Sequence, residues 1–340
     1  MNRDLFKAFS NSTQLFGIVL EGAARAKRAL IALPPEAGLG RAFAAAADDV
    51  ALWSHDWTFP EGFQTLPPQG PFDLLVFYLP KARDYQAFSL ELALARLDPD
   101  ARVIVAGSKQ AGTGSAKELL QDYLGPEIEK HSARHCVAWD GRWQAVKPLA
   151  SLGATRRREF SASAWGVSAR LCSYPGVFSH GRLDEGTQFL LENFQIKAPQ
   201  ARILDWGCGS GVLGILAKLA LPEAKVSFAD AHAMALESTR ESLAANHVEA
   251  EAVIASDGWS QISGNFDLIL SNPPAHRGID TDLNASETFL AQAAGRLNPG
   301  GRLVMVANAH LPYFRVLNAV FKKTALLEKN TRFQVIEATL

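Results

Sequence analysis

The sequence predicts an α/β protein of two tandem domains, each built on a mostly parallel sheet with helices on its faces. Two observations predict this. The C-terminal half alternates strand and helix patterns in strict succession, and the N-terminal half repeats part of that pattern in a weaker form. Length agrees, because 340 residues with 48% hydrophobic and 20% charged content are too many for one ordinary core and too apolar for disorder.

In the C-terminal half, short apolar runs predict strands at Arg202–Asp205, Lys225–Ala229, Ala252–Ala255, Asp267–Ser271 and Arg302–Ala307. Amphipathic stretches between them predict helices over Val212–Ala220, Ala233–Asn246 and Ala285–Arg296. A further helix near Pro312–Phe321 leads to two terminal strands, Thr324–Glu328 and Phe333–Thr339. Lys329-Asn330-Thr331 supplies the turn of an antiparallel hairpin between them.

Part of this series recurs in the N-terminal half. Phe72-Asp73-Leu74-Leu75-Val76 matches Phe266-Asp267-Leu268-Ile269-Leu270. Leu97-Asp98-Pro99 and Arg102-Val103-Ile104-Val105 then match Leu297-Asn298-Pro299 and Arg302-Leu303-Val304-Met305. The two matches differ in offset by six residues, an easy loop insertion. The expected boundaries are 1–160 for the first domain and 170–340 for the second. The first copy lacks the second's chemical features. Its likely first strand, Ala29–Leu33, ends in Pro34-Pro35, which offers a ligand no backbone N–H, and its later strand runs into Phe77-Tyr78-Leu79-Pro80-Lys81. We expect it to bind no cofactor. Lys109–Ser115 reads as a plain loop.

Composition narrows the function. No apolar stretch approaches the ~20 residues that span a bilayer, and no apolar signal core follows Met1–Ser10. Cys136, Cys172 and Cys208 are widely spaced without a metal-ligand pattern, so a cytoplasmic protein without metal, disulfide or membrane contact is expected. A net charge of −1 disfavours non-specific nucleic-acid binding. Any RNA contact must use local clusters such as Arg156-Arg157-Arg158, Arg25/Lys27/Arg28 or Lys322-Lys323, each of which, taken alone, reads first as solvated surface.

The chemistry concentrates at four strand ends. Ile203-Leu204-Asp205 is followed by Trp206-Gly207-Cys208-Gly209-Ser210-Gly211 and then a helix. Alternating glycines permit φ > 0 and close approach of a ligand to the backbone. Asp205 can accept from the ammonium of an amino-acid-bearing nucleoside such as S-adenosyl-L-methionine, Asp230 from ribose hydroxyls, and Asp257 from the adenine amino group. Each acid could alone be a helix cap; three at successive strand ends point to one ligand. Ser271-Asn272-Pro273-Pro274 follows the fourth strand. An exocyclic amino nitrogen is a poor nucleophile, its lone pair being delocalised into the ring. The Asn272 side-chain oxygen and the Pro273 carbonyl can each accept one of its N–H bonds, aiming the lone pair and stabilising developing positive charge. No strong general base is required, which fits the lack of an obvious His–acid pair.

On these residues the chain resembles the guanine-N2 ribosomal RNA methyltransferases, of the small-subunit methyltransferase C type. The matching segments are Tyr174–Ser179 with Leu183-Asp184, Asp205–Gly211, Ser271–Pro274 with His276, Val306–Ala309 with Leu311–Tyr313, and Thr331–Phe333. The resemblance covers nearly the whole chain. It implies two Rossmann-like class I methyltransferase domains in tandem, the N-terminal one degenerate. It further implies S-adenosyl-L-methionine as cofactor and transfer to one guanine N2 in 16S rRNA of assembled small subunits. Asn272 and Pro273 would be catalytic, Asp205, Gly207, Gly209, Gly211, Asp230 and Asp257 would hold the cofactor, and Pro274, His276 and Phe178 the substrate. A fused second domain can stand in for a second subunit, so a monomer is expected.

One position departs from the family pattern: Ala275 stands where such sites carry an aromatic residue that stacks on the target base. Stacking is worth ~1–3 kcal/mol per base, and His276, Phe178 or Tyr313 are candidates to supply it. The segment Pro175–Asp184 is expected to cross the cofactor pocket, with Asp184 read as the cap of the helix carrying Phe189, Leu190 and Phe194. Four alternatives stay open at this point: large-subunit rRNA as substrate, a protein glutamine amide as substrate, a ribosome assembly factor without catalysis, and, most distantly, a nicotinamide oxidoreductase, since Gly209–Gly214 contains a Gly-x-Gly-x-x-Gly string.

Overall fold

The computed structural model describes residues 9–21, 23–109, 113–144, 156–197, 201–273 and 288–340. The chain divides into two compact units, Met1–Arg156 and Arg157–Leu340.

The second unit opens with a hairpin, β7 (Arg158–Ala164) and β8 (Val167–Ser173), which no sequence pattern announced. A seven-stranded sheet follows: β9 (Arg202–Trp206), β10 (Lys225–Asp230), β11 (Ala252–Ala255), β12 (Phe266–Ser271), β13 (Leu297–Asn308), β14 (Lys323–Lys329) and β15 (Phe333–Thr339). Their order is β11-β10-β9-β12-β13-β15-β14, parallel from β11 to β13 and antiparallel at β15 and β14. The predicted strands and terminal hairpin are all present, and β13 begins five residues earlier than expected. Helices Val212–Ala220, Ala233–Ala245 and Tyr313–Val320 match the amphipathic stretches. Of the expected Ala285–Arg296 helix, residues 288–293 are helical, 294–296 form a 3-10 turn, and 285–287 lie outside the described residues.

The buried faces explain these elements. In Val212–Ala220, residues Leu213, Ile215, Leu216 and Ala217 are buried, and a Cβ at Gly214 would come within 2.3 Å of the Phe228 ring. Glycine there lets helix and sheet close up. One core cluster gathers Leu204, Ile269, Leu303, Met305 and Ile336 from the sheet with Phe289, Tyr313 and Leu317 from the helices. Within it Phe289 is sandwiched between Trp206 and Trp259, with centroid separations of 3.4 and 4.6 Å.

The first unit has six strands: β1 (Ala26–Ala32), β2 (Ala47–Trp53), β3 (Phe72–Tyr78), β4 (Leu97–Ser108), β5 (Glu129–Ala133) and β6 (Cys136–Arg142). Their order is β2-β1-β3-β4-β6-β5, the second unit's order without one edge strand. The repeat extends to register. β3 and β4 pair Phe72 with Leu97, then jump to Leu74 with Arg102; β12 and β13 pair Phe266 with Leu297, then jump to Leu268 with Arg302. It extends also to side chains. Asp73 accepts from the backbone N–H of Arg28, whose guanidinium lies 4.7 Å from the Phe72 ring centroid. Asp267 accepts from the N–H of Arg202, whose guanidinium lies 5.0 Å from that of Phe266. Arg102–Asp140 and Arg302–Glu337 are likewise equivalent ion pairs.

Aligned through these contacts, Ile31 stands in the place of Asp205, Leu33 of Gly207, Pro35 of Gly209, Ser54 of Asp230 and Tyr78 of Asn272. Leu33 keeps the positive φ, 54° against 68° at Gly207, although a side chain makes that conformation costly. Helix Asn11–Val19 packs against β4 and β6 with its first turn at this end, and Leu15 and Phe16 share a buried cluster with Ile31 and Tyr78. Glu36 accepts from the Ser10 N–H and the Thr13 hydroxyl, and Thr13 also bonds the Tyr78 hydroxyl at 2.9 Å. The loop expected over Lys109–Ser115 is in part helix, since Thr113–Leu124 is helical.

Candidate functional site

In a doubly wound sheet, ligands bind at the carboxyl ends of the strands where the chain reverses its winding direction. Here that point lies between β9 and β12, because β10 and β11 are laid to one side of β9 and the chain then returns to start β12 on the other. Ser271 pairs in register with Trp206, and its hydroxyl donates to the Trp206 carbonyl at 2.9 Å. The glycine loop after Trp206 and the Asn-Pro after Ser271 therefore leave the sheet side by side.

Gly207, Gly209 and Gly211 have φ of 68°, 56° and 81°. The loop is anchored on β10, where the Ala229 carbonyl accepts from both the Gly207 and Cys208 N–H groups. A Cβ at Gly207 would meet no atom within 4 Å, and one at Gly209 only Val177 Cγ1 at 4.0 Å. Packing within the chain does not demand these two glycines; positive φ and room for a ligand do.

The three acids at the strand ends stand at different depths. Asp205 is 2% exposed and accepts from the Gly214 N–H at 2.8 Å. Burial raises its carboxyl to about 8, and the nearby Asp230 pushes in the same direction. Asp230 accepts from the N–H groups of Gly209 at 3.0 Å and His232 at 2.9 Å, tying the loop to β10. Asp257 is exposed at the rim of an open cavity of about 660 Å³, lined also by Trp259, Phe289 and Arg296.

Asn272 is held from the opposite side. Its side-chain NH2 donates to Asp184 Oδ2 and to Thr187 Oγ1, each at 2.9 Å. Asp184 is indeed the N-cap of helix Glu185–Asn193, accepting from the Thr187 N–H at 2.9 Å. Sequence reasoning found the cap and missed its second partner, which lies 88 residues away. Pro273 is buried, while Pro274, Ala275 and His276 lie outside the described residues.

The segment before Asp184 crosses the glycine loop through Val177. It is fixed by Ser173, whose hydroxyl accepts from the Gly181 N–H at 2.8 Å and bonds His180 Nδ1 at 3.0 Å. Phe178 projects from it, 67% exposed. Tyr313, a candidate from sequence to stack on the base, is 1% exposed and belongs to the core, so it cannot take that role. Four arginines of two of the basic clusters are paired with acids. Arg25 pairs with Asp48, Arg28 with Asp49, Arg156 with Glu91, and Arg157 with Glu159 and Glu241. Among the described residues no cluster of His, Cys, Asp and Glu could hold a metal ion, no helix is long and apolar enough to cross a membrane, and the three cysteines are free thiols.

Residues 168–337 match the family described as Methyltransferase small domain, and residues 25–152 match Methyltransferase small domain N-terminal. The Ribosomal RNA small subunit methyltransferase C of Serratia proteamaculans is 39% identical over 274 residues, covering 79% of this chain and 75% of that one. That of Pseudomonas entomophila is 35% identical over 303 residues, covering 84% and 89%. The chain belongs to the ribosomal RNA small subunit methyltransferase C family. Among solved structures, the T. thermophilus 16S rRNA N2 guanine methyltransferase (RsmC), in complex with AdoMet and guanosine, matches with a TM-score of 0.80 and 26% identity. That match covers 99% of this chain and 91% of the other. Both halves of a methyltransferase C enzyme are thus accounted for, and the resemblance drawn from the sequence holds.

Proposed function

We propose that the chain transfers the methyl group of S-adenosyl-L-methionine to the exocyclic N2 of one guanine in 16S rRNA, acting on assembled small subunits as a cytoplasmic monomer. The observation that carries this reading is the seating of Asn272 beside the glycine loop with its NH2 directed at Asp184 and Thr187. The amide oxygen is then the polar atom left to meet an amino group. A relative aligned over 99% of this chain, solved with AdoMet and guanosine, supports the same ligand pair.

The residues fit the cofactor. The open space at Gly207 and Gly209 accommodates a ligand against the backbone, and the acids at the strand ends complement its polar groups. We assign Asp205 to the electrostatics of the amino-acid end, Asp230 to the ribose and Asp257 to the adenine. Gly207, Gly209 and Gly211 form the loop itself. When bound, S-adenosyl-L-methionine supplies an electrophilic methyl on a sulfonium sulfur. Asn272 Oδ1 and the Pro273 carbonyl accept the two N–H bonds of the guanine amino group. They would hold its lone pair outward and stabilise the positive charge that grows on nitrogen as the new C–N bond forms and the methyl–sulfur bond breaks, its electron pair staying on sulfur to leave a neutral thioether. The surplus proton leaves the nitrogen for water after transfer, so no general base is assigned. Methylation requires the base to leave its stack. Phe178, exposed in the segment that reaches the glycine loop, is the stacking partner we assign; Pro274 and His276 are assigned to the substrate from their place in the sequence after Asn272-Pro273. The first unit holds no cofactor in this scheme, since Ile31, Pro35 and Tyr78 stand where Asp205, Gly209 and Asn272 serve the second.

The test is transfer of a labelled methyl to small subunits, large subunits and naked rRNA, each from cells lacking the protein. Label on small subunits, recovered as N2-methylguanosine, is expected. Label on large subunits alone would overturn the substrate, and label on none of the three would overturn the reaction.

A further inference from the structure

Asn272 can serve an amino group only if its amide presents oxygen, not nitrogen, and a primary amide can turn over by rotation about one bond. Something must choose the face. At Asp184 the structure has a side chain whose carboxylate oxygens accept and do not donate. Its Oδ2 takes the Asn272 NH2 at 2.9 Å while also taking the Thr187 N–H of its own helix at 2.9 Å. Thr187 Oγ1, on a buried residue, takes a further bond from the same NH2 at 2.9 Å. A reversed amide would set its oxygen against the carboxylate, two acceptors facing with no hydrogen between them.

The start of this helix is also closely packed. A Cβ at Gly186 would lie 3.0 Å from Asp184 Oδ2 and 3.2 Å from Phe333 Cε1, so glycine lets the cap sit tightly under the Phe333 ring.

We infer that Asp184 and Thr187 are positioning residues that lock the Asn272 amide with its oxygen toward the substrate. This rests on the reading that Asn272 receives the guanine amino group. The helix cap alone would explain Asp184 as a stability element, so the test must separate capping from positioning. Asp184→Ser keeps an N-capping side chain but is one bond shorter and draws its oxygen away from Asn272. Asp184→Asn keeps both the cap and an oxygen at the same distance. Thr187→Val removes the second acceptor and leaves the cap acid in place.

Methyl transfer to small subunits and S-adenosyl-L-methionine binding are measured for each variant. The D184S/T187V double variant is expected to lose about 10- to 100-fold in kcat, with the KM for subunits and the cofactor Kd near wild type. D184N is expected to retain most of kcat. An unchanged kcat in the double variant would overturn the inference, as would a D184N variant as impaired as the double one. The side-chain NH2 signals of Asn272, followed by NMR in cofactor-free wild type and T187V, give a second readout that needs no activity. Slow-exchanging, shifted signals that move part-way toward free-amide positions in T187V, where Asp184 still accepts, are expected; signals already free in wild type would overturn the inference even if the double variant fails to fold. Absence of transfer by wild type, with the NH2 still protected, would reject the proposed reaction and leave the positioning intact.

Discussion

In the proposed scheme Asp205 and Asn272 carry most of the chemistry, and each yields a prediction. Asp205 is an acid whose folded-state carboxyl is raised by burial from an ordinary 3.8 to about 8. The folded chain therefore holds a proton that the unfolded chain releases. The resulting stability is complete below pH 3.8 and is lost as pH rises toward about 8. In the cofactor-free protein, thermal scans from pH 5 to 8 are expected to show a falling midpoint that flattens in Asp205→Asn. A slope unchanged by that substitution would mean Asp205 is already ionised across the range. At Asn272, replacement by Ala is expected to abolish transfer while cofactor binding persists, as calorimetry would show; retained activity would remove this residue from the mechanism. Exposed Phe178 should matter to substrate and not to folding. Phe178→Ala is expected to weaken substrate binding by about 1–3 kcal/mol with no change in melting. The residue types at these three positions were readable in the sequence. The depth of Asp205 and the partners of Asn272 were not, because both depend on elements remote along the chain.

At the scale of elements, the helix of residues 288–293 reaches the site through Phe289. Its ring lies between Trp206, which precedes the glycine loop, and Trp259, which follows Asp257. Phe289→Ala is expected to destabilise the chain by about 3–5 kcal/mol, the cost of a large buried aromatic, and denaturant titration would measure it. Gly214→Ala should be costly for the opposite reason. The added methyl would sit 2.3 Å from the Phe228 ring and push the helix from the sheet. The predicted strands and helices appeared because apolar periodicity is local. The β7–β8 hairpin escaped because its serine-rich strands carry few large apolar residues, and Arg157–Glu241 and Tyr174–Glu241 contacts tie this region to helix Ala233–Ala245.

Taken as a whole molecule, the chain carries one sheet order twice and one candidate cofactor site. Calorimetry is expected to find one S-adenosyl-L-methionine per chain; two would show that the first unit still binds. The duplication was visible in Phe72–Val76 and Leu97–Val105, yet its extent was not. Matching bulges between β3 and β4 and between β12 and β13 emerged only when the strands were paired. So did the Arg28–Phe72 and Arg202–Phe266 contacts. The same holds for the filling of the first unit's strand ends by Phe16, Ile31 and Tyr78.

By itself the sequence determined the alternation of strands and helices, the glycine loop of Asp205–Gly211, the acids at strand ends and the Asn-Pro at Asn272. These are properties of neighbouring residues, whose periodicity and conformational freedom are set by steric rules acting over a few positions. Tertiary structure alone decided which atom of Asn272 is presented, that Asp205 is buried against Gly214, and that Tyr313 belongs to the core while Phe178 does not. Each is a contact or burial fixed by segments brought together through packing, such as Asp184 and Asn272, 88 residues apart. Local pattern can nominate such side chains, but their orientation and exposure exist only once the sheet has closed.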